Sequence, residues 1–421
     1  MSRSRVELIY LLNDAAELEH SLCCLYLFAA FSLKRDIAEG VTWTQLNAIN
    51  EWEQTILLVA RQEMEHMGLV NNLLTALGGA PSFHRSNFPQ PARYFPFALT
   101  LDRFDEATIK RFVCFERPDN IRPEDAFCED QPLTLHLTDI TPKPVPYKTV
   151  GELYQIIRSG IETCSIPDRE LFIGPLDAQV GGDELFLNFP RLGATGGAYD
   201  FFLFPVTDRK SAIKAIDLII EQGEGMPVQN PDSHYQRFLR ILNEFRKQRA
   251  EDPTFEPARA VVANPVMQPI AVPGTHPITN PAAYAVLDLF NSAYATMLQL
   301  LVRFYAHTDE TESELAGLRY ATFFPMMTMV IRPLSEVLTT MPAYRESDHQ
   351  RAGPSFEFPR DLVFLPHKTA AWQVLSEQLT ILATRAAQLS TQPAMPARLK
   401  TIAQDLHLVD QKFRQMTGMN R

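Results

Sequence analysis

Cysteine, basic runs and long apolar stretches are all in short supply in this chain. Five cysteines (Cys23, Cys24, Cys114, Cys128, Cys164) are scattered over 421 residues with no C-x-x-C pair. An odd, dispersed set of this kind reads as reduced thiols in a cytoplasmic protein, not as a disulfide framework or a zinc site. Cys23 and Cys24 stand side by side in an apolar stretch and read as small core residues. No run of 18 apolar residues occurs, so no membrane span is expected. The opening MSRSRVELIY lacks the unbroken apolar segment of a secretory signal. Lys and Arg number 39 against 50 Asp and Glu, a net charge of −11, and no basic stripe tracks phosphates, which argues against nucleic acid. The G-x-S-x-G, P-loop, H-E-x-x-H and dinucleotide fingerprints are missing as well.

What is present is ordinary globular composition, 46% hydrophobic and 21% charged, at a length suited to two or three domains. The 31 prolines draw the map. Residues 5–34 and 44–78 contain none and read as two long helices, the second stopped by Gly78-Gly79-Ala80-Pro81. Residues 81–148 are proline-broken loop with one short helix near 105–116. Helical spacing returns over 149–164. Residues 165–207 are rich in glycine and aromatics, with short strands expected at 184–189 and 200–204. Helices follow at 211–224 and 233–248. Seven prolines between Pro253 and Pro281 read as a linker. Four more helices are expected near 282–307, 312–340, 366–390 and 395–417. The boundaries are therefore 1–250, a linker at 251–281, and a second helical bundle at 282–421. The fold class is mainly α.

A bundle helix shows its buried seam as apolar residues at steps of three and four. In the first helix the seam is Leu8, Leu12, Ala15, Glu19, Leu22, Tyr26, Ala29, Leu33. Its only charged member is Glu19. In the second it is Ile49, Trp52, Ile56, Val59, Glu63, His66, Val70, Leu73, Leu77. A carboxylate in such a seam costs several kcal/mol, in round terms, unless a partner or a metal neutralises it. Glu63-Met64-Glu65-His66 has E-x-x-H spacing, which places a carboxylate and an imidazole on one helix face where a single ion can meet both. Glu65 points away from that face, and Glu17 and His20 flank the seam as surface groups. Tyr26 reads as core.

Later helices supply further candidates. The stripe Ile213, Ile216, Ile220 runs onto Glu224, ahead of Glu221. After a Gly/Pro/Asn break, His234 begins a stripe continued by Phe238, Ile241 and Phe245. Ser233 reads as the N-cap of that helix. Glu152 lies beside the apolar set Val150, Leu153 and Ile157, although a first-turn carboxylate is also what a helix dipole favours.

The blocks AAELEHSLCCLYLFAAFSLK, RQEMEHMGLVNNLLTALGGAP, TVGELYQII, SAIKAIDLIIEQGEG, SHYQRF and AGPSFEFP resemble a known family. It is the ferritin-like domain shared by iminophenyl-pyruvate dimer synthases of bisindole biosynthesis and stand-alone bacterial relatives. The resemblance implies a ferritin-like four-helix bundle with loop and short-strand insertions. In ferritin-like bundles one Glu from each of two helices and an E-x-x-H from each of the other two hold a pair of iron or manganese ions. Carried over, Glu19 is the lone Glu of the first helix, Glu63 and His66 the first E-x-x-H, and Glu152 the lone Glu of the third helix. The fourth helix departs from the pattern: it offers Glu221-Gln222-Gly223-Glu224-Gly225 and then His234, which leaves one or two ions open.

The metal-ligand set expected is Glu19, Glu63, His66, Glu152, Glu224 and His234. Hard carboxylates with imidazole and no thiolate suit iron, with manganese as the alternative. The chemistry expected is oxidation of a small organic molecule by dioxygen or peroxide, with an imine or amino-acid derivative as the candidate substrate. The rivals are a non-catalytic metal-binding or scaffold bundle, and ferroxidase or peroxide detoxification. A homo-oligomer is allowed but not specified. In the second domain Met326, Met327, Met329 and Met341 with Phe323 and Phe324 read as core.

Overall fold

The structure is a computed structural model and describes residues 3–91, 95–128, 146–181, 203–224, 230–306, 309–322, 325–358, 364–393 and 395–417. The strand expected at 184–189 lies outside the described residues. So do residues 200–202 of the second expected strand, and Leu203 and Phe204 are not in a strand. Phe323 and Phe324 are also outside. The chain forms two compact units. One comprises Met1–Ser86, Gln90–Thr100 and Phe104–Ala258; the other comprises Asn87–Pro89, Leu101–Arg103 and Arg259–Arg421.

In the first unit, α1 (Arg5–Ser32) and α2 (Trp43–Ala76) pack along their lengths. Each begins with a reciprocal cap, Ser4 with Glu7 and Thr42 with Gln45, which satisfies amide donors the first turn would leave unpaired. Every member of both predicted seams is buried, the acidic and imidazole ones included. The short α3 (Glu106–Phe115) packs on α6 (His234–Glu251). Between them in sequence, α4 (Val150–Thr163) lies against α1 and α5 (Arg209–Gly223). Ser233 caps α6 by accepting from the Gln236 amide at 3.3 Å. Tyr26, Phe112 and Phe238 join α1, α3 and α6, with Tyr26 ring centroids 4.6 and 4.9 Å from the other two. Trp52 of α2 stacks on Phe104 at 5.4 Å and donates its indole N–H to Glu244 of α6 at 3.0 Å. Burying each such aromatic contributes about 1.5–3 kcal/mol, so these contacts tie the four helices α1, α2, α3 and α6 together.

Two expectations are corrected in this unit. Cys114 and Cys128 form a disulfide, with Cα atoms 5.2 Å apart. The last turn of α3 and the 3₁₀ turn Pro123–Ala126 fold back on each other and bring together thiols that sequence spacing does not pair. Cys23, Cys24 and Cys164 are free and buried. His20, expected at the surface, and Glu65, expected to be solvated or to support the site from behind, are both buried. Glu65 pairs with Arg61 at 3.2 Å, and His20 Nδ1 lies 3.0 Å from the Phe83 carbonyl.

The second unit holds α7 (Pro281–Ala306), α8 (Glu312–Thr322), a π-helical turn (Pro325–Ile331), α9 (Arg332–Leu338), α10 (Lys368–Ser390) and α11 (Leu399–Thr417). The stretch expected as one helix over 312–340 is thus divided. Pro325 and Pro333 lack the N–H that would continue the ladder. By length and composition α7 could cross a membrane, but 67% of its apolar window is buried. Residues 259–281, expected as part of a linker or draped segment, are exposed over 268–274 and anchored on either side of that stretch. Pro265–Val266 pairs in parallel with His276–Pro277, the Val262 amide donates to Arg351 O at 2.9 Å, and Val261, Val262, Val266 and Ile278 are buried.

Candidate metal centre

The seam of α1 delivers Glu19 to the same interior point that α2 reaches with Glu63 and His66. His66 Nδ1 is 3.0 Å from Glu63 Oε2 and 3.6 Å from Glu19 Oε2. The other ring nitrogen of His66, Nε2, lies 2.8 Å from Gln222 Oε1 on α5. A carbonyl oxygen only accepts, so Nε2 carries the hydrogen, and in the neutral ring Nδ1 is the lone pair facing the carboxylates.

A second group mirrors the first. His234, the first residue of α6, has Nδ1 2.9 Å from Glu63 Oε1 and 3.5 Å from Glu116 Oε2. Glu63 therefore turns one oxygen to each imidazole. In each trio, Glu19/Glu63/His66 and Glu63/Glu116/His234, the donor atoms lie within 4.8 Å of one another and all three residues are buried. The two imidazole rings stack at 5.4 Å.

Glu116 is the member that sequence reasoning missed. It caps the C-terminus of the ten-residue α3, and its signal was the two-turn seam Ile109, Phe112, Glu116, too short to stand out. Glu152, expected as the lone Glu of the third helix, is elsewhere. Its Oε2 accepts from the Lys148 amide at 2.6 Å in the first turn of α4. Glu224, at the C-cap of α5, lines one small cavity with Glu19, Glu63, His66 and Glu116 but belongs to neither trio. Its carboxylate packs against the Gly151 Cα, and a Cβ at Gly151 would fall 1.8 Å from Glu224 Oε1. Only glycine permits that approach. Glu221 is exposed.

Electrostatics follow from placing four carboxylates and two imidazoles in one interior. Burial, then repulsion by Glu63, pushes the Glu19 carboxyl up to about 8. Burial and Glu63 also raise Glu116. Burial and the charge of Asp119 raise Glu224 to about 8. Burial disfavours imidazolium too, yet Glu63 and Glu116 override it and raise His234 to about 9, while Glu19 and Glu63 raise His66 well above its usual value. For Glu63 burial works upward, but His234 and His66 prevail and hold its carboxyl well below the ordinary range. Two tyrosine hydroxyls also donate into the cluster, Tyr154 to Glu19 and Tyr26 to Glu116.

The donor set fits a metal. Among the described residues no Lys or Arg forms an ion pair with Glu19, Glu63, Glu116 or Glu224. Glu19 Oε2, Glu63 Oε1 and both nitrogens of His234 are buried without a hydrogen-bond partner. His234 Nδ1 and Glu63 Oε1 approach to 2.9 Å yet lack hydrogen-bond alignment. Buried polar atoms are almost always paired, so unpaired carboxylate oxygens and an imidazole nitrogen clustered in the two trios are what cations would satisfy.

The ferritin-like family model matches residues 12–243, more than half of the chain. The chain belongs to the ferritin-like family. Two relatives match over most of it. One is a dichlorochromopyrrolate synthase from Lentzea aerocolonigenes, 28% identical over 91% of this chain. The other is a 2-imino-3-(indol-3-yl)propanoate dimerase from Chromobacterium violaceum, 28% identical over 85% of it. The chain spans 39% and 34% of the length of these relatives. A solved ferritin-like protein from Caulobacter vibrioides is 19% identical, with a TM-score of 0.44 over 75% of this chain and 94% of that one. Against the general ferritin-like pattern, this member keeps the first lone Glu and the first E-x-x-H. Where that pattern has a second lone Glu and a second E-x-x-H, the structure brings Glu116 and His234 beside Glu63, with Glu224 nearby on a different helix.

Proposed function

We propose that the first unit holds two divalent ions, iron with manganese as the alternative, and uses them to oxidise a small organic molecule with dioxygen or peroxide. The observation that carries this reading is Glu63, whose two oxygens face two imidazoles 2.9 and 3.0 Å away. Glu19 and His66 would complete one half-site, and Glu116 and His234 the other, with Glu63 shared. Two divalent charges would neutralise Glu19, Glu63, Glu116 and Glu224 with both imidazoles uncharged, which removes the need for buried protons.

When bound, such a metal pair supplies activation of dioxygen or peroxide at neutral pH. The chain's own groups do the rest. Gln222 holds the His66 tautomer. Tyr154 and Tyr26 donate to the outer carboxylates. Glu224, packed against Gly151 at the cavity wall, can hold a proton at its carboxyl there. The cavity, about 10 Å³, is the size of roughly one water. For the substrate, an imine derived from an amino acid is supported by the names of the two relatives, of which this chain matches only a part.

The deciding experiment is metal analysis of iron-replete protein together with an anomalous-scattering map at the iron edge. Two ions bracketing Glu63, and oxygen consumption on adding an indole- or phenylpyruvate-derived imine, are expected. Less than about a tenth of an equivalent of metal would overturn the reading in favour of a scaffold. Metal with oxidation of Fe(II) but of no organic compound would favour a ferroxidase.

A further inference from the structure

The two tyrosines treat the two half-sites alike, atom by atom. Tyr154 of α4 donates its hydroxyl to Glu19 Oε1, and Glu19 Oε2 is left without a hydrogen-bond partner, 3.6 Å from His66 Nδ1. Tyr26 of α1 donates to Glu116 Oε1, and Glu116 Oε2 is left facing His234 Nδ1 at 3.5 Å. In both, the phenol takes the oxygen remote from the imidazole. Both side chains are fully enclosed, Tyr26 at 0% and Tyr154 at 1% exposure. The Tyr26 ring is wedged between Phe112 and Phe238, at 4.6 and 4.9 Å, so its hydroxyl has one direction to point. A buried hydroxyl must find an acceptor somewhere, but that need alone does not send two tyrosines on different helices each to the carboxylate oxygen remote from the imidazole.

We propose that Tyr154 and Tyr26 are positioning residues, each occupying Oε1 of one terminal carboxylate so that Glu19 and Glu116 each present a single oxygen, Oε2, to the ion of their own half-site. The inference rests on the two-ion reading and deepens it. It assigns Glu19 and Glu116 as one-oxygen ligands and leaves Glu63 alone to use both of its oxygens. Each tyrosine acts through its carboxylate, and each governs one half-site only. A phenol that served merely to fill space would show no such selectivity, since phenylalanine fills nearly the same volume.

The test is a titration of metal-free full-length protein with Mn(II), read by calorimetry and by electron paramagnetic resonance. Coupled and isolated Mn(II) give different spectra, so the signal reports which half-site has emptied. Wild type is expected to take up two ions with a coupled spectrum. Tyr154→Phe is expected to weaken one ion about 10- to 100-fold, as loss of an orienting hydrogen bond does, and to give the isolated-ion spectrum seen with Glu19→Ala. Tyr26→Phe should reproduce the Glu116→Ala spectrum instead. Adding Tyr154→Phe to Glu19→Ala should cost nothing more, because the hydroxyl then has no ligand to orient. Thermal melts of each variant separate lost binding from lost folding, and should one phenylalanine variant fail to fold, the other half-site carries the same test. Two unchanged Mn(II) affinities in both variants, equal weakening of both ions, or full additivity with Glu19→Ala would overturn the assignment while the two-ion reading stands. No Mn(II) uptake by wild type would overturn both.

Discussion

Position 63 carries a carboxylate that is 2% exposed and faces an imidazole on either side. Removing it strips a ligand from both trios at once, whereas His234 serves only one. Glu63→Ala is therefore expected to lose both ions, and His234→Ala to keep the ion at Glu19 and His66, as counted by metal analysis after gel filtration. Equal loss in the two variants would contradict a shared Glu63. Local pattern was a good guide to some of these residues and silent on others. Glu19, Glu63 and His66 interrupt seams that run for seven or more turns, and a charged residue so placed has nowhere to go but inward. Glu116 ends a helix of ten residues, where two turns of periodicity cannot be told from chance. Glu152 was drawn to the site by its position one turn into a helix. The same position lets it cap the Lys148 amide, and the dipole rewards that arrangement without any metal.

At the level of whole elements, α4 and α5 meet where Gly151 passes under the Glu224 carboxylate. A methyl group added there would collide with it, its nearest contact 1.8 Å away. Gly151→Ala is expected to destabilise the protein by about 1–3 kcal/mol, the usual range for overpacking, measured as a lower urea midpoint. Glu224→Ala in the same background should restore most of that loss, because the clash is with its oxygen and not with backbone. The disulfide is the other element-scale feature. It closes the chain from Cys114 to Cys128 around Glu116, a loop of sequence separation 14. Replacing both cysteines with serine should cost about 2–4 kcal/mol, seen by thermal melting, and should weaken the ion held by Glu116 more than the ion held by Glu19. Neither feature is local. Gly151 looks like any helix glycine until α5 is laid over it, and the Cys114–Cys128 spacing resembles no disulfide or zinc motif. Helix positions were more legible: nine of the ten expected helical stretches match described helices within a few residues, and the tenth, 312–340, is broken where prolines interrupt the ladder.

For the molecule as a whole, the cluster makes stability depend on pH, and the sign follows from three groups. Folding raises Glu19 and Glu224 from 4.5 to about 8, and His234 from 6.5 to about 9. Each folded value exceeds the unfolded one, so each contribution is complete below the unfolded value and is lost as pH climbs through the folded value. Glu63 has the opposite shift, and its contribution is lost only as pH falls below the usual carboxylate range. The metal-free protein should therefore melt at steadily lower temperature as pH rises from about 6 to about 9. Mn(II) or Fe(II), which displaces the same protons, should raise the melting temperature most at the alkaline end and flatten the slope. A metal-free melting temperature that rises over this range would contradict the buried-proton arrangement.

The sequence alone determined that this chain is helical, that α1 and α2 are buried along one face, and that Glu19, Glu63 and His66 lie on it. Periodicity repeated over many turns is information carried by neighbours three and four residues apart, and it survives without knowledge of the rest of the molecule. Which carboxylate stands opposite His234, that Glu224 rests on Gly151, and that Cys114 meets Cys128 were decided only by tertiary structure. Each depends on where a short helix stops or a loop returns, and those positions are set by the packing of residues far apart in the chain.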